Sequence, residues 1–218
     1  MAITASEVNK LRKQTGAGMM DCKNALVEAN GDFEAAVDVL RKKGQKIAAK
    51  RGGNDAKEGV IIAQSTNDSK AGVIVTLNCE TDFVAKNDGY VQLVQSLVDL
   101  ALDKLPKSLD EFKTLSYNEK LSVDEKITEQ IGIIGEKLDL SAYVLVESEN
   151  VVAYNHPGNQ LATLVALNSN SDIAGDAGKQ VAMQVAAMNP LAVSKDGIDA
   201  QTIEREIEVG KDQAIQEG

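Results

Sequence analysis

Apolar residues recur every three to four positions through the first fifty residues, a spacing that is typical of amphipathic helices. Two such sets are Cys22, Ala25, Leu26 and Ala29, then Phe33, Ala36, Val37 and Leu40. Thr4 and Glu7 form a capping-box pattern before the first helix, and Asp32 precedes the third. The pattern predicts a three-helix module over residues 1–53 that ends in a flexible linker around Gly52–Gly53.

Val- and Ile-rich runs replace the helical pattern in the middle of the chain. GVIIAQS and AGVIVTLN flank the polar segment STNDSK, which predicts an antiparallel hairpin. Helices are predicted in DGYVQLVQSLVDLALDKL, in Ser108–Leu115, and after the capping pair Ser122 and Glu125. The apolar stripe of this last helix is Ile127, Ile131, Ile134 and Leu138. We expect residues 54–140 to form the first part of a core.

The third region is predicted to hold a three-stranded sheet. Its strands are AYVLVESE, VVAYNHPG and LATLVALN. Asp172 is placed to cap a helix that reaches Met188, and a last helix begins near Asp199. We therefore expect residues 141–218 to be the second part of the core. The predicted class is α+β, with three helices followed by two antiparallel sheets packed with helices.

A weak repeat connects the two parts of the predicted core. Five residues are identical to those 90 positions later in the sequence: Val75, Leu77, Asn78, Asp82 and Val91. Phe83 corresponds to Ile173 at this offset. Both copies consist of a strand, a polar turn, an aspartate and a helix. The match indicates either a duplicated unit or two segments that share the same turn chemistry.

The charge and composition of the chain argue against a nucleic-acid partner. Its net charge of −10 would repel phosphate backbones, and an aromatic content of 3% argues against stacking platforms for single-stranded nucleic acid. Residues 1–51 carry four more basic than acidic residues, whereas the remainder carries fourteen more acidic than basic. This asymmetry fits either a protein partner with its own charge asymmetry or a solvated helix face.

Cys22 and Cys79, which are far apart in sequence, match no metal or redox spacing. They predict reduced thiols in a cytoplasmic protein. No apolar run approaches the roughly 18 residues of a membrane span, and no signal peptide is recognised before the first helix. We therefore expect a cytoplasmic protein that does not bind membranes.

Catalytic and metal-binding patterns are not found in the sequence. TGAG lacks both the preceding strand and the final GK[ST] of a phosphate-binding loop. His156 is the only histidine, and neither Cys79 nor Ser141 lies in a nucleophile motif. The setting of His156, YNHPGN, predicts a hairpin tip at which it is either simply exposed or contacts a partner. We predict no catalytic residue, cofactor or metal.

Three apolar side chains are candidates for contact with a partner. Met19 and Met20 lie in a glycine-flanked segment, where we expect one to fill the helical core and the other to be an adaptable exposed contact. Phe83 directly follows a strand, in NCETDFVAKND. It either folds back against Val91 or Leu93, or is displayed to a partner at a rigid strand–helix corner.

The segments TGAGMMDCK and CETDFVAKN resemble bacterial elongation factor Ts, the nucleotide-exchange factor of elongation factor Tu. Similar segments continue through IGEKL, YNHPG and VAMQVAAMNP, so the resemblance covers essentially the whole chain. It implies an N-terminal module similar to ubiquitin-associated domains and a two-part α+β core. It also implies a non-enzymatic role in protein biosynthesis, with elongation factor Tu as the partner.

The resemblance further implies two groups of partner-contacting residues. The exchange group is Thr81, Asp82, Phe83, Val84, Ile134, Gly135 and His156. The N-terminal group is Leu11, Met19 and Met20. Within the exchange group, Asp82 and Phe83 are implied to enter the GTPase domain of the partner, close to its magnesium site.

Two features differ from many relatives. Pro157 follows the histidine where relatives carry a glycine- or lysine-rich tip, so the angle of His156 can differ. The chain also ends within a predicted helix, so we expect a shortened form and leave open a homodimer of the two-protein complex. An interaction module that binds a partner helix without exchange activity is the alternative function. An enzyme that uses Cys79 and His156 is the weakest hypothesis.

Overall fold

The computed structural model describes residues 3–217, apart from the side chains of Asp172 and Glu217, and begins with the predicted three-helix module. The helix bounds are Ala5–Thr15 for α1, Met19–Glu28 for α2 and Phe33–Arg51 for α3. The predicted caps are confirmed, since Thr4 and Glu7 form a capping box and Asp32 accepts from Ala35 N at 3.0 Å. The module buries its own apolar cluster of Val8, Leu11, Ala17, Cys22, Ala25, Leu26 and Ala36.

The predicted hairpin and one further strand form an antiparallel sheet in the order β1-β2-β3. The strand bounds are Glu58–Ser65 for β1, Ala71–Cys79 for β2 and Leu138–Glu147 for β3. Between β2 and β3 lie α4 (Asp82–Ala85), α5 (Asp88–Lys104), α6 (Leu109–Thr114) and α7 (Val123–Ile134). The predicted capping box of Ser122 and Glu125 is present at α7.

The assignment of β3 to the second sheet is wrong. β3 pairs with β2 from Leu138 opposite Cys79 to Glu147 opposite Ala71. Leu138 also lies in this strand instead of on the α7 stripe, because α7 ends at Gly135 in the left-handed conformation, with φ +82°. This pairing buries Leu138 and Leu140 in the main core, and β3 therefore completes the first sheet.

The main hydrophobic core lies between this sheet and the helices that follow β2. Val73, Val75 and Leu77 of β2 are fully buried, and they share this core with the apolar face of α5. That face comprises Tyr90, Leu93, Val94, Leu97, Val98 and Ala101. Phe112 of α6 closes one end, with its ring centroid 5.1 Å from that of Tyr143. Burial of each large aliphatic side chain contributes about 1.5–3 kcal/mol, so this face of α5 anchors the helix firmly.

A second hairpin and two long helices complete the described chain. Their bounds are Asn150–Asn155 for β4, Ala162–Leu167 for β5, Asp172–Met188 for α8 and Ala200–Glu217 for α9. β4 and β5 form a two-stranded sheet instead of the predicted three-stranded one. Ser171 is the N-cap of α8 and accepts from Ala174 N at 3.3 Å. The side chain of Asp172, the predicted cap, lies outside the described residues.

The strand registers follow the 90-residue offset of the sequence repeat. Val60 pairs with Leu77 in the first hairpin, and Asn150 pairs with Leu167 in the second, so both partners move by the same 90 positions. Because β1 and β4 lie outside the matched segment of the sequence repeat, this agreement favours a duplicated hairpin–helix unit over chance similarity.

The N-terminal module packs directly against the core, and the flexibility predicted around Gly52–Gly53 stays a prediction. RKKGQKIAAKR continues α3 as far as Arg51, and α3 packs on α7 at a crossing of Gly44 with Gly132. Lys137 Nζ then donates to the carbonyls of Gly52 and Asn54 at 3.0 and 2.9 Å. The α+β class is as predicted, whereas the likeness to ubiquitin-associated domains and the boundaries after residues 53 and 140 stay predictions. Among the described residues, no helix is long and apolar enough to span a membrane.

Candidate partner-binding site

Phe83 stands on the surface at the corner between the first sheet and its helices. β2 ends at Cys79 and α4 begins at Asp82, and the Phe83 side chain is 84% exposed. The hypothesis that it folds back onto α5 is therefore wrong. Val84 packs against the main core and Ala85 is buried. Since successive helical side chains diverge by about 100°, anchoring these two residues turns Phe83 outward.

The carboxylate of Glu136 holds the turn that precedes Phe83. Oε2 accepts from the backbone N–H groups of Glu80 and Thr81 at 3.1 and 3.0 Å. Oε1 accepts from the hydroxyl of Thr81 at 2.7 Å. Hydrogen bonds to a carboxylate are shorter and stronger than those between neutral groups. We name residues 79–84, with the exposed Phe83, the Phe83 corner.

Glu80 ties the same corner to two other elements. Its carboxylate accepts from Lys137 N at 2.6 Å, from Asn54 Nδ2 at 2.9 Å, and from Arg51 Nη1 at 2.8 and 2.9 Å. The Glu80 side chain is only 16% exposed. These contacts, led by the backbone N–H of Lys137, lower the pKa of Glu80 below its ordinary value of 4.5. The end of α3 and the turn after α7 thus meet at one carboxylate.

Two buried polar side chains, one within the Phe83 corner and one on α5, form hydrogen bonds to the backbone around it. Cys79 Sγ donates to the carbonyl of Thr81 at 3.2 Å, and the Tyr90 hydroxyl donates to the carbonyl of Leu77 at 2.9 Å. Burial raises the pKa of both Cys79 and Tyr90, so both side chains are neutral at pH 7. They act as structural supports of the corner, because a buried neutral thiol is a poor nucleophile.

Asp82 places an ionised carboxylate beside the exposed phenyl ring. Lys86 Nζ donates to Asp82 Oδ2 at 2.6 Å, one helical turn away. This hydrogen bond and the positive charge of Lys86 lower the pKa of Asp82 and raise that of Lys86. The corner therefore offers an apolar ring next to an ion pair whose anionic member is Asp82.

Ile134 and Gly135 are brought next to the Phe83 corner by the residue that follows them. Gly135 closes α7 in the left-handed conformation, with its N–H donating to Ile131 O at 2.9 Å. Glu136 then reaches the turn at Thr81, and Ile134 packs partly on the main core. Two candidate segments that are fifty residues apart in sequence consequently lie side by side.

His156 and the N-terminal methionines lie on other elements. His156 is exposed in the turn between β4 and β5, with Nδ1 3.0 Å from the Tyr154 hydroxyl. The neighbouring Asn155 side chain bonds to the backbone N–H and carbonyl of Ala63 in β1, at 2.7 and 2.8 Å. Met19 and Met20 begin α2 and are 54% and 62% exposed. The expectation that one of them fills the helical core is therefore wrong.

Comparison with known proteins identifies the family of the chain. The family model described as Elongation factor TS matches residues 80–218. The chain belongs to the elongation factor Ts family. It is 52% identical to elongation factor Ts of Christiangramia forsetii over 99% of this chain and 78% of the relative, and 51% identical to that of Amoebophilus asiaticus over 100% and 79%. Elongation factor Ts of Flavobacterium psychrophilum is 48% identical over 99% and 78%. Membership places the chain among the elongation factors of protein biosynthesis.

One residue expected at the surface of this elongation factor Ts family member is instead buried. Leu11 has no exposed surface and packs within the three-helix core. Its side chain is therefore inaccessible in this structure and supports the helices that display Met19 and Met20, and its implied contact with a partner stays a prediction. The other implied contact residues are described in their places above, and their roles stay predictions.

Sequence reasoning missed the two glutamates that organise this site. Glu80 directly precedes Thr81, and Glu136 directly follows Gly135. Each is therefore the immediate neighbour of a candidate segment, which is the only signal that the sequence carries for them. Among the described side chains of residues 3–217, no group of three or more His, Cys, Asp or Glu is arranged to hold a metal ion.

Proposed function

We propose that the chain is a guanine nucleotide-exchange factor that binds elongation factor Tu with GDP bound and promotes release of the GDP. One observation carries the proposal: Phe83 is 84% exposed at a corner fixed by Glu136, in a member of the elongation factor Ts family. An exposed aromatic side chain on rigid backbone is suited to enter a pocket of a partner.

The chemistry of GTPases explains how an inserted aromatic side chain can promote nucleotide release. Mg²⁺ and a cradle of backbone N–H groups hold the phosphates of the nucleotide, so a protein cannot simply compete for that buried site. It can bind the state of the GTPase in which the metal site and phosphate loop are displaced. Phe83 would stabilise that state by burial, and Asp82, once separated from Lys86, would repel the nearby phosphate charges.

Phe83 by itself supplies only part of the required free energy. Each tenfold weakening of GDP binding needs about 1.4 kcal/mol of differential contact, and burial of one phenyl ring contributes roughly 1.5–3 kcal/mol. The adjoining Ile134 and Gly135, together with His156 and the exposed Met19 and Met20, would supply the remainder. No bond is made or broken in this step, so the chain acts as an exchange factor and not as an enzyme.

Release of a fluorescent GDP from bacterial elongation factor Tu tests the proposal. The chain is added in catalytic amounts with excess unlabelled GDP, and the same reaction without it gives the spontaneous rate. We expect faster release that rises with the concentration of the chain. Binding without acceleration would contradict the proposal and would favour the interaction-module alternative.

A further inference from the structure

We infer that Glu136 is the positioning residue of the Phe83 corner, which holds Phe83 in the orientation that exchange requires. The inference rests on the proposed function, in which Phe83 enters the partner. Glu136 would act through the backbone of Glu80 and Thr81, without contacting the partner itself.

The corner needs an external support because α4 is very short. It spans four residues, and helices of this length are not stable by themselves in water. Thr81, its N-cap, makes no side-chain cap hydrogen bond to the helix and donates its hydroxyl to Glu136 instead. The first backbone N–H groups of the turn are satisfied by the same carboxylate. Glu136 thus anchors the N-cap residue Thr81 and the residue before it, instead of capping α4 itself.

Glu136 also belongs to a reciprocal pair of turns. Glu80, in the corner, accepts from the backbone of Lys137, while Glu136, in the turn after α7, accepts from the backbone of Glu80. Each turn therefore supplies the carboxylate that satisfies the other turn, and Arg51 of α3 binds the outer face of Glu80. Movement of either turn breaks hydrogen bonds in both.

The occupancy of the Glu136 oxygens argues for support instead of direct contact. Oε1 already receives the Thr81 hydroxyl, and Oε2 receives two backbone N–H groups. Phe83 projects outward from the turn with 84% of its surface exposed, and the Asp82 side chain before it is 46% exposed. Loss of Glu136 would leave these side chains present but free to take several orientations.

Amide hydrogen exchange tests the positioning role without reference to a partner. We expect Glu136→Gln to speed exchange of the Glu80 and Thr81 amides about tenfold in the folded chain, which corresponds to roughly 1.4 kcal/mol. Asp139→Asn is the matched control, because Asp139 is an exposed carboxylate at the same end of β3. Unchanged exchange at both amides in Glu136→Gln would overturn the inference.

A double-mutant cycle with nucleotide release tests the functional consequence. We expect Glu136→Gln to slow GDP release several-fold when Phe83 is present, by no more than Phe83→Ala does, and less than about twofold in the Phe83→Ala background. Equal effects in both backgrounds would mean that Glu136 acts independently of Phe83, which overturns the inference. If the unaltered chain does not accelerate release, the proposed function fails, while the amide exchange still decides whether Glu136 holds the corner.

Thr81→Val provides a second variant if Glu136→Gln does not fold. It removes one of the three hydrogen bonds, at a backbone conformation with φ −126° and ψ 151° that suits a β-branched residue. We expect the same changes in amide exchange and GDP release, at about threefold. A folded Thr81→Val chain with unchanged amide exchange and unchanged release would also contradict the inference.

Discussion

Phe83 and Ile173 occupy corresponding positions in the two hairpin–helix units, and both are large apolar side chains at the start of a helix. Their exposed fractions are nearly equal, at 84% and 82%. Exposure alone therefore does not distinguish a contact residue from an ordinary surface residue. What distinguishes Phe83 is its setting, where the carboxylates of Glu80 and Glu136 fix the preceding turn.

Comparison of Phe83 with Ile173 allows a controlled test of the proposed insertion of Phe83 into the partner. We expect Phe83→Ala to slow GDP release from elongation factor Tu several-fold, because burial of the phenyl ring in the partner is lost. Ile173→Ala removes a similarly exposed apolar side chain and should leave the release rate unchanged. Both variants should keep the thermal midpoint of the parent chain, since neither side chain belongs to the core. An unchanged rate in folded Phe83→Ala would refute the role of Phe83.

Glu80 makes the stability of the chain sensitive to acid. Its pKa is lowered in the folded state by the N–H of Lys137 and by Asn54 and Arg51, so the ionised form binds more tightly in the native chain than in the unfolded one. The stabilisation is therefore complete above the ordinary unfolded pKa of 4.5 and is lost as the pH falls through the lower native pKa.

The sign of this linkage predicts the behaviour of Glu80→Gln. We expect the variant to be less stable than the parent at about pH 7, and the difference to shrink steadily below about pH 4. Urea unfolding of both chains at a series of pH values measures it. Glu149→Gln, an exposed acid in the β3–β4 turn, is the control. A stability difference that is constant from neutral to acidic pH would show that Glu80 does not act through its charge.

At the level of elements, the crossing of α3 and α7 decides where the N-terminal module sits. Gly44 and Gly132 allow the two backbones to approach, and a Cβ atom on Gly44 would lie 2.8 Å from the carbonyl oxygen of Thr128. Arg51 then reaches Glu80 from the end of α3. The N-terminal part of α3 thus belongs to the three-helix module, and its C-terminal residue Arg51 binds the Phe83 corner.

Gly44→Ala should weaken this crossing. Overpacking of a tight contact costs about 1–3 kcal/mol, which exceeds the gain of roughly 1 kcal/mol that alanine gives over glycine in a helix. Gly53→Ala is the control, since no atom lies within 4 Å of a Cβ placed there. Urea unfolding should show a lower midpoint for Gly44→Ala and an unchanged midpoint for Gly53→Ala. A Gly44→Ala chain as stable as the parent would mean that the helices separate without cost.

Most elements were predictable from the sequence because their signals are local. The caps at Thr4, Asp32 and Ser122 and the first hairpin are set by neighbouring residues, and all of them are present. The partner of β3 was not predictable, because a strand with alternating apolar residues pairs equally well with either hairpin. The exposed residues of the site, such as Phe83, were predicted from the resemblance to a known family. The supporting residues Glu80 and Glu136 were not predicted, because their contacts join segments that are distant in sequence.

For the whole molecule, thermodynamic linkage separates an exchange factor from a simple binding module. If the chain loosens GDP on elongation factor Tu by some factor, GDP must weaken binding of the chain by the same factor. We expect the affinity of the chain for nucleotide-free elongation factor Tu to exceed that for the GDP-bound form. Calorimetric titrations with and without saturating GDP measure the difference. Equal affinities would support the interaction module that leaves nucleotide release unchanged.

The sequence by itself determined the class of the chain, most of its helices with the caps at Thr4, Asp32 and Ser122, the 90-residue repeat and the segments that resemble the elongation factor Ts family. These features follow from residue spacing, local turn chemistry and residue identity, which do not depend on how distant segments pack. Only the tertiary structure decided that Phe83 is exposed, that Leu11 is buried, and that β3 joins the first sheet. It alone joined Glu136 to Thr81 across 55 residues, because such contacts depend on packing between distant segments.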